Sequence, residues 1–300
     1  MEDVAASQIL LTSIRIVSLV PNATEILFAL GAGDLVVGVS HECDFPPEVE
    51  GLPQLTGSAL TPDLGASAID RAVGSQLASG ESLYTLDEER IEALEPTLII
   101  TQTLCPVCAV STAQVNGAVA PLGIYPEVIS LDPNTLEDVF GDIHRVATAL
   151  GLTDEAASVT RGLQSRIEAV RRIVAGRASP RVVALEWLDP PFIAGHWIPE
   201  MIAIAGGDDA LARPGDASRK ASWKLVGEAD PDILIAMPCG FDRQGSIDQL
   251  ERIAGAPGWS KLRAVGAGRV HAVDANGCFS RPGPRLVDGI ETLARCFHES

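Results

Sequence analysis

The sequence predicts an α/β protein in which two lobes, each built on a parallel sheet, are joined by one long helix. Short β-branched apolar runs alternate with segments whose apolar residues fall at helical spacing, and this alternation is typical of right-handed βαβ units. The order acidic residue, proline and buried strand occurs twice after a helix, at 95–100 and at 230–235. Between these copies, residues 153–176 form a proline-free stretch with apolar residues every three or four positions. The core is expected to be aliphatic, because 46% of the residues are hydrophobic and only 4% are aromatic, a composition that suits buried parallel strands.

The first lobe is predicted for residues 14–135, after an N-terminal extension at 1–13. Its first strand is the β-branched run RIVSLV, which Pro21 ends. Asn22 or Thr24 is expected to cap the helix that follows, since either side chain can accept a hydrogen bond from a free backbone N–H. The predicted elements are, in chain order, a strand at 15–20, a helix at 25–30, a strand at 35–39, a helix at 86–94 and a strand at 97–101.

A helical linker is predicted for residues 136–178, followed by the second lobe at 179–300. The linker contains a helix at 137–150, which Gly151 ends, and the long helix at 153–176, whose length corresponds to about 35 Å. The predicted elements of the second lobe are strands at 181–186, 232–237 and 269–273 and helices at 199–205, 222–229 and 285–297.

The composition excludes several classes of partner. The net charge is −18, with 40 acidic against 22 basic residues, so the surface repels nucleic acid backbones and anionic lipid. No run approaches the roughly 18 apolar residues of a membrane span. No basic residue precedes Arg15, and the apolar run before it is only Ile9–Leu11, so no signal peptide is predicted and a cytoplasmic location is expected. If an export segment had been removed, the location would be periplasmic or at the cell surface.

The candidate ligand site lies at the carboxyl ends of the predicted strands. Ligands of open parallel sheets bind outside this edge, and we expect the edges of the two lobes to face a common cleft. The first lobe contributes Pro21, Asn22, Thr24, His41, Cys43, Asp44, Phe45, Gln102, Cys105 and Cys108. The second lobe contributes Glu186, Trp187, His196, Trp197, Cys239, Phe241, Asn276, Cys278 and Phe279.

Aromatic residues are concentrated at these strand ends although they are rare in the chain. Flat apolar walls suit a large macrocycle, whose burial supplies most of the affinity. The amides of Asn22, Gln102 and Asn276 can exchange hydrogen bonds with polar groups at the periphery of such a ligand. The alternative is that some of the aromatic residues only pack loops. The five aromatic residues are Phe45, Trp187, Trp197, Phe241 and Phe279.

Five of the six cysteines also fall at predicted strand ends. Cys105 and Cys108 form a CxxC, whose spacing suits a soft metal or a redox pair. With His41 as a further ligand, these thiols are the candidate metal site. The alternative is that the thiols are buried and have no function, because cysteine is among the residue types most often buried.

Two segments resemble the helical-backbone periplasmic binding proteins for cobalamin and iron chelates, and they are most similar to the cobalamin-binding branch. The first is RIVSLVPNATEILFALGAGDLVVGVSHECDFPPEV at 15–49, and the second is PGWSKLRAVGAGRVHAVDANGCFSRPGPRLVDGIETLA at 257–294. The resemblance covers residues 14–298 and implies two Rossmann-like lobes, one long backbone helix and a ligand cleft between the lobes. It implies non-catalytic binding of a corrinoid such as cobalamin, for uptake, salvage or intracellular carriage. His41 or His196 would then be the axial ligand of cobalt.

The same resemblance bears on a protein partner. Exported relatives dock on an ABC transporter permease through an acidic residue on each lobe, and the first-lobe residue that matches is Glu89. The matching position of the second lobe is Lys224, a charge reversal that would face arginine on the permease and weaken docking. Glu228 lies one turn further on and could substitute. A cytoplasmic carrier without a permease partner is therefore a competing interpretation.

Two further functions stay open beside corrinoid binding. The first is a metal-, haem- or siderophore-binding protein that uses the cleft cysteines and histidines, since these ligands share the fold. The second is an enzyme that acts on a tetrapyrrole or through CxxC redox chemistry. The chain contains no GxSxG, P-loop or HExxH, and no GxGxxG follows a strand. A binding protein that is not an enzyme is therefore expected.

Overall fold

The computed structural model describes residues 14–58, 71–75, 83–103 and 110–299. The chain divides into two compact units. Unit 1 holds the described residues up to Asp132 together with Phe140–Val159, and unit 2 holds Pro133–Val139 and the described residues from Thr160 onward. Both units combine helices with a sheet that contains parallel strands, so the predicted α/β fold class is confirmed.

Unit 1 contains a four-stranded sheet in the order β2-β1-β5-β6, and every neighbouring pair in it is parallel. A separate antiparallel pair is formed by β3 and β4. The strands are β1 (Ile16–Ser18), β2 (Val36–Val39), β3 (Thr56–Ser58), β4 (Tyr84–Leu86), β5 (Leu98–Thr101) and β6 (Glu127–Ser130). The helices up to the linker are α1 (Pro21–Ala29), α2 (Glu88–Leu94), α3 (Thr112–Val119) and α4 (Leu136–Leu150). The aliphatic core that the composition predicts is present, since β1 and β5 are completely buried.

Helix α1 begins earlier than predicted. Its N-cap is Val20, which provides no side-chain cap, and Pro21 stands in the first turn. The fixed φ of proline is already helical, and the N–H that proline lacks would have no partner at this position. Asn22 and Thr24 therefore lie inside the first turn, and the prediction that one of them caps the helix is wrong.

Unit 2 contains a sheet in the order β10-β8-β7-β11-β12, and β9 pairs with β7. Strands β7, β11 and β12 are parallel, whereas β8 and β10 are antiparallel additions. The strands are β7 (Arg181–Leu188), β8 (Pro191–Ile193), β9 (Asp208–Asp209), β10 (Arg219–Lys220), β11 (Ile233–Ala236) and β12 (Val270–Ala272). The helices are α5 (Thr153–Val174), α6 (Ile198–Ile204), α7 (Trp223–Ala229), α8 (Arg243–Ile253), α9 (Arg263–Gly266), α10 (Ala275–Cys278) and α11 (Leu286–His298).

The sequence echo between the two halves is also structural. Helices α2 and α7 each begin with a side-chain cap, from Asp87 and from Ser222. Each ends at an acidic residue in the left-handed region, Glu95 and Asp230, both with φ of 43°. Since the left-handed region is unusual for a residue with a side chain, the same geometry at both places indicates that the two segments are one repeated unit.

A pair of arginines completes this repeat. Arg15 precedes β1 and donates from Nε to the carbonyl of Leu94, the last residue of α2, at 2.6 Å. Arg181 begins β7 and donates in the same way to the carbonyl of Ala229, the last residue of α7, also at 2.6 Å. The final carbonyls of a helix have no intrahelical donor, so each arginine satisfies one of them and ties the helix to the strand.

Helix α5 is the long helix that the sequence predicts, two residues shorter at its end. The residues of α5 up to Val159 belong to unit 1, and those from Thr160 onward belong to unit 2. Within unit 2, Arg166 donates from Nε to Glu291 at 2.9 Å and from its amino group to Asp288. The hydrogen bond to Glu291 raises the pKa of Arg166, and the hydrogen bond from Arg166 lowers the pKa of Glu291. This double contact fixes the second part of α5 on α11.

We expect Arg166→Gln to lower the free energy of unfolding by about 1 kcal/mol, because two carboxylates of α11 lose a partly exposed cationic partner. The measurement is urea denaturation followed by circular dichroism. The difference should shrink in 1 M salt, since ionic strength screens the pair. Arg171→Gln is the matched control, because the ion pair that Arg171 makes with described residues is to Glu168 of the same helix. Equal effects of the two substitutions would contradict the assignment.

Candidate functional site

The carboxyl ends of β7, β11 and β12 form one edge of the unit 2 sheet, because these strands are parallel. The loop after β11 returns to β7, where the N–H of Cys239 donates to the carbonyl of Glu186 at 2.9 Å. The rings of Trp187 and Phe241 lie 6.1 Å apart at 51°. The N–H of Asn276 donates to the carbonyl of Phe241 at 2.9 Å. We call this set the unit 2 edge surface; its members are Glu186, Trp187, His196, Ser218, Cys239, Phe241 and Asn276.

Strand β7 runs two residues beyond its predicted end at Glu186, so Trp187 and Leu188 also belong to the strand. The register against β8 shifts between Leu185 and Trp187. Such an irregularity breaks the alternation of side chains between the two faces and can redirect a side chain. The local geometry therefore explains how neighbouring residues of one strand both reach the loop after β11.

Ser218 is a member of the edge surface that the sequence analysis missed. Its hydroxyl donates to Glu186 Oε2 at 2.7 Å and lies 3.4 Å from His196 Nδ1. It also accepts a hydrogen bond from the N–H of Gly195 at 3.1 Å. No motif surrounds Ser218, and it is brought to Glu186 only by the segment that leads into β10. Ser218 thus holds the carboxyl of β7 and the imidazole of the next loop in one network.

Glu186 is held in its neutral form. Burial raises its pKa to about 8, the hydrogen bond from Ser218 opposes this shift, and the nearby Cys239 adds to it. The side chain is half-buried and keeps some contact with solvent. Burial also lowers the pKa of His196. At neutral pH the edge surface therefore offers a protonated carboxyl and a neutral imidazole, which can both donate and accept hydrogen bonds.

Backbone hydrogen bonds to residues 215 and 216 hold the loop that carries His196. His196 has a φ of 54°, in the left-handed region that only a few per cent of residues with a side chain adopt. Its N–H donates to the carbonyl of Asp216 at 2.6 Å, and its carbonyl accepts from Gly215 at 3.0 Å. These two bonds stabilise the unusual conformation and orient the imidazole towards Ser218.

Two of the aromatic residues predicted to line the site lie in the core of unit 2. Trp197 is only 7% exposed and Phe279 only 2%. The indole N–H of Trp197 donates to the carbonyl of Phe279 at 2.8 Å, so the pair packs internally. This corrects the expectation that they form a wall for the ligand, because both side chains are almost completely buried. Trp187 and Phe241 are half-buried and remain the candidate wall.

In unit 1, the residues around the start of α1 are buried as a polar cluster. The hydroxyl of Thr24 donates to Ser18 Oγ at 2.8 Å and lies 3.1 Å from Cys43 Sγ. Pro21 and Asn22 are buried in the same turn. These side chains therefore connect β1 with the loop after β2, which is a structural role. Gln102 is also buried, with 5% exposure, whereas Asp44 and Phe45 are exposed.

His41 is the half-buried imidazole of unit 1. Its Nδ1 lies 2.6 Å from Thr56 Oγ1, and its ring centroid is 5.7 Å from that of Tyr84. Its Nε2 is 3.3 Å from Glu42 Oε1, an ion-pair distance without hydrogen-bond geometry. The partners Thr56 and Tyr84, which the sequence analysis missed, belong to the antiparallel pair of β3 and β4.

The predicted metal site falls partly outside the described residues. Cys105 and Cys108 lie in the segment 104–109, which is outside the described ranges. Among the residues that the structure describes, no group of three His, Cys, Asp or Glu side chains could hold a metal ion. Metal binding by His41 with Cys105 and Cys108 therefore stays a prediction.

The two residues discussed for docking occupy equivalent positions. Glu89 is the second residue of α2 and Lys224 the second residue of α7. Both side chains are exposed, and Lys224 Nζ lies 3.6 Å from Glu228 Oε1. The charge reversal is thus located at the same point of the repeated unit. No helix within the described ranges is long and apolar enough to cross a membrane.

Comparison with known proteins agrees with this architecture. A profile of the family described as "Periplasmic binding protein" matches residues 16–276. The ABC transporter substrate-binding lipoprotein YvrC of Bacillus subtilis is 24% identical, over 95% of this chain and 80% of that protein. A vitamin B12-binding protein of Vibrio cholerae is 24% identical, over 93% and 87%. A cobalamin-binding protein of Halobacterium salinarum is 25% identical, over 95% and 70%.

Solved structures are similar over nearly the whole chain. The periplasmic heme-binding protein RhuT from a Roseiflexus species is 27% identical with a TM-score of 0.71, covering 96% of this chain and 98% of that one. The periplasmic vitamin B12 binding protein BtuF of Vibrio cholerae gives 22% and 0.66, covering 94% and 97%. At 22% identity, the similarity to the vitamin B12 binding protein shows a shared fold and no more.

These relatives correct the expected location. The cytoplasmic location was predicted because the first residues do not show the pattern of a signal peptide. The relatives include a lipoprotein and proteins described as periplasmic, so the prediction of a cytoplasmic protein is wrong.

Proposed function

The chain belongs to the periplasmic binding protein family, and we propose that its ligand is a corrinoid, with cobalamin as the first candidate. Members of this family are non-catalytic solute-binding proteins for ABC transporters, and this chain is a binding protein of the same kind. The class of ligand is cobalamin, haem or an iron chelate. The choice within that class rests on the unit 2 edge surface.

The observation that carries the choice is an uncharged polar surface beside an aromatic wall. Trp187 and Phe241 offer flat apolar faces, and apolar burial supplies most of the affinity for a large ligand. Beside them lie the protonated Glu186, the neutral His196 and the amide of Asn276. Neutral groups that both donate and accept hydrogen bonds match the carboxamides at the periphery of a corrin.

Haem is the second candidate, because the Roseiflexus relative is a heme-binding protein. Haem carries two propionates, and buried carboxylates need cationic or strongly donating partners. The seven residues of the edge surface include no lysine or arginine. The surface therefore supports a neutral periphery better than an anionic one.

The partner implied by the family is an ABC transporter permease. We propose that Glu89 contacts it through unit 1. On unit 2 the equivalent Lys224 cannot make the same contact, and the neighbouring Glu228 already faces the ammonium group of Lys224. The permease surface that meets unit 2 should therefore differ in charge from the surface that meets unit 1.

Calorimetric titration of the purified protein with hydroxocobalamin, cobinamide, haem and a ferric siderophore tests the proposal. We expect submicromolar affinity for the two corrinoids, corresponding to a binding free energy beyond about −8 kcal/mol, and much weaker binding of the other two. A visible spectrum recorded in parallel identifies any change at cobalt. Absence of heat with both corrinoids, or tighter binding of haem, would overturn the choice.

We expect Trp187→Ala to weaken corrinoid binding by about 1–3 kcal/mol, because the ligand loses an apolar face to bury against. This corresponds to roughly 5- to 150-fold in the dissociation constant, measured in the same titration. Tyr125→Ala is the control, since Tyr125 is 87% exposed in unit 1 and belongs to no part of the surface. Unchanged affinity of the Trp187 variant would mean that the wall lies elsewhere.

A further inference from the structure

Two imidazoles lie in loops that follow strands, and the Nδ1 atom of each faces a hydroxyl group. In unit 1, His41 Nδ1 is 2.6 Å from Thr56 Oγ1, and in unit 2, His196 Nδ1 is 3.4 Å from Ser218 Oγ. A neutral imidazole carries one hydrogen, so one of its nitrogens donates and the other accepts. Only the accepting nitrogen can bind a metal. The other hydrogen bonds of each hydroxyl therefore determine which nitrogen is available as a ligand.

The hydrogen-bonding positions of Ser218 are all in use. A hydroxyl has one hydrogen to donate and can accept two hydrogen bonds. The hydrogen of Ser218 goes to Glu186 Oε2 at 2.7 Å, and one lone pair accepts from the N–H of Gly195 at 3.1 Å. The remaining contact, with His196 Nδ1, can then form only if Nδ1 donates. His196 therefore carries its hydrogen on Nδ1, and Nε2 keeps its lone pair.

The Nε2 atom of His196 is also accessible. Within the described residues it has no hydrogen-bond partner, and it keeps contact with solvent. Burial of the rest of the side chain lowers the pKa of His196, which favours the neutral form that a metal needs. The backbone fixes the loop, because a Cβ atom at Gly195 would collide with the carbonyl of Asp216. The imidazole is thus held with a free lone pair directed away from Ser218.

His41 has the opposite arrangement. Thr56 Oγ1 accepts from the backbone N–H of His41 at 3.0 Å and lies 3.0 Å from Ser40 Oγ. Ser40 accepts from the N–H of Glu42, and among the described residues its own hydrogen has only Thr56 as an acceptor. Ser40 therefore donates to Thr56, and Thr56 donates to His41 Nδ1. The hydrogen of His41 is left on Nε2, which is buried and lies 3.3 Å from Glu42 Oε1.

We propose that His196 Nε2 is an axial ligand of the cobalt in a bound corrinoid and that His41 is not. This assignment rests on the proposed function, since the metal belongs to the corrinoid. The corrin nitrogens already hold the cobalt, so a single imidazole is sufficient. Nε2 takes the place of a water molecule on cobalt(III), which leaves unchanged, and no oxidation or reduction occurs. Ser218 and Glu186 are positioning residues, because a metal-bound histidine usually donates its other N–H to a neighbour that fixes the ring.

Aquacobinamide and dicyanocobinamide are the probes, titrated calorimetrically into the whole protein. Cobinamide has no nucleotide base, so its axial positions hold exchangeable water in the first probe and tightly bound cyanide in the second. We expect His196→Asn to weaken aquacobinamide binding about ten-fold or more and to change dicyanocobinamide binding by less than about two-fold. Asparagine is chosen because it tolerates the left-handed backbone at this position. His41→Asn is the matched control and should leave the ratio of the two affinities as in wild type.

Electron paramagnetic resonance identifies the ligand atom directly. Cob(II)inamide, reduced before it is mixed with the protein, should show cobalt lines split into triplets by one axial nitrogen. Protein labelled with nitrogen-15 histidine should convert the triplets into doublets. The splitting should persist in His41→Asn and be lost in His196→Asn. A splitting that His196→Asn retains would contradict the assignment.

The titrations separate failure of this assignment from failure of the proposed function. Wild-type protein that binds neither probe would overturn both. Equal effects of His196→Asn on the two probes would overturn only the assignment, because His196 would then contact the periphery of the ligand. Nitrogen-15 nuclear magnetic resonance of the ligand-free protein tests the hydrogen positions and should place the hydrogen of His196 on Nδ1. A hydrogen on Nε2 would mean that Glu186 donates to Ser218, and it would also overturn the assignment.

Discussion

Trp197→Ala is expected to lower the free energy of unfolding by about 3–5 kcal/mol, the range for removal of a large buried aromatic side chain. Trp197 is only 7% exposed, so the substitution leaves a cavity in the core of unit 2. The carbonyl of Phe279 also loses the indole N–H that binds it at 2.8 Å, and an unpaired buried carbonyl adds to the cost.

Urea denaturation followed by far-UV circular dichroism measures this effect. Trp197→Phe should retain most of the stability, because it keeps an aromatic ring and loses mainly one hydrogen bond worth about 1 kcal/mol. Trp187→Ala is the matched control within unit 2, since Trp187 is half-buried and donates only to the carbonyl of Asp189 at 3.2 Å. A loss below about 1 kcal/mol for Trp197→Ala would mean that the indole is not part of the core, and its role as a ligand wall would return.

The second large expected effect is a pH dependence of the free energy of unfolding, which the substitution Glu186→Gln should abolish. Burial raises the pKa of Glu186 from 4.5 to about 8, so between these values the folded protein holds a proton that the unfolded chain has released. A raised pKa in the folded state contributes stability that is present at low pH and is lost as the pH rises through the folded value. The free energy of unfolding should therefore fall by at most about 1.4 kcal/mol per pH unit within this window. Solvent contact of the half-buried carboxyl reduces the slope.

Urea denaturation near pH 5 and near pH 8 distinguishes the wild-type protein from the Glu186→Gln variant. Glutamine has the shape of the protonated acid, so the variant should match wild type at the lower pH and become the more stable protein at the higher one. Ser218→Ala provides an independent test, because the hydrogen bond from Ser218 opposes the shift. Its loss should extend the sensitive window to higher pH. Parallel stability curves for wild type and Glu186→Gln would contradict the assigned protonation state.

The candidate site could be predicted from the sequence only as far as strand ends could be located. The apolar runs that become β7 and β11 are evident, and Glu186, Trp187, Cys239 and Phe241 were expected at their ends. Each of them lies at that edge. Ser218 could not be found in the same way, because it follows no predicted strand and reaches Glu186 across 32 positions of the chain.

Two tryptophans at similar sequence positions have different environments in the folded protein. Trp187 and Trp197 both lie near strand ends, yet only Trp187 keeps an accessible face. The difference arises because Phe279, 82 positions away, covers and accepts from the second indole. Cys278 also lay at an expected site position, but it lines a cavity together with His271 of β12 and Cys296 of α11. Sequence spacing carries no information on which distant segment will cover a side chain.

The sequence by itself determined the class of fold, the repeated helix–turn–strand unit, the long helix and the family, because these depend on local periodicity and on extended sequence patterns. The tertiary structure alone decided which strand-end side chains are covered and which carboxyl has a raised pKa. Burial and electrostatic environment are sums over neighbours from distant parts of the chain. They therefore exist only once the strands have been ordered and the helices packed on them.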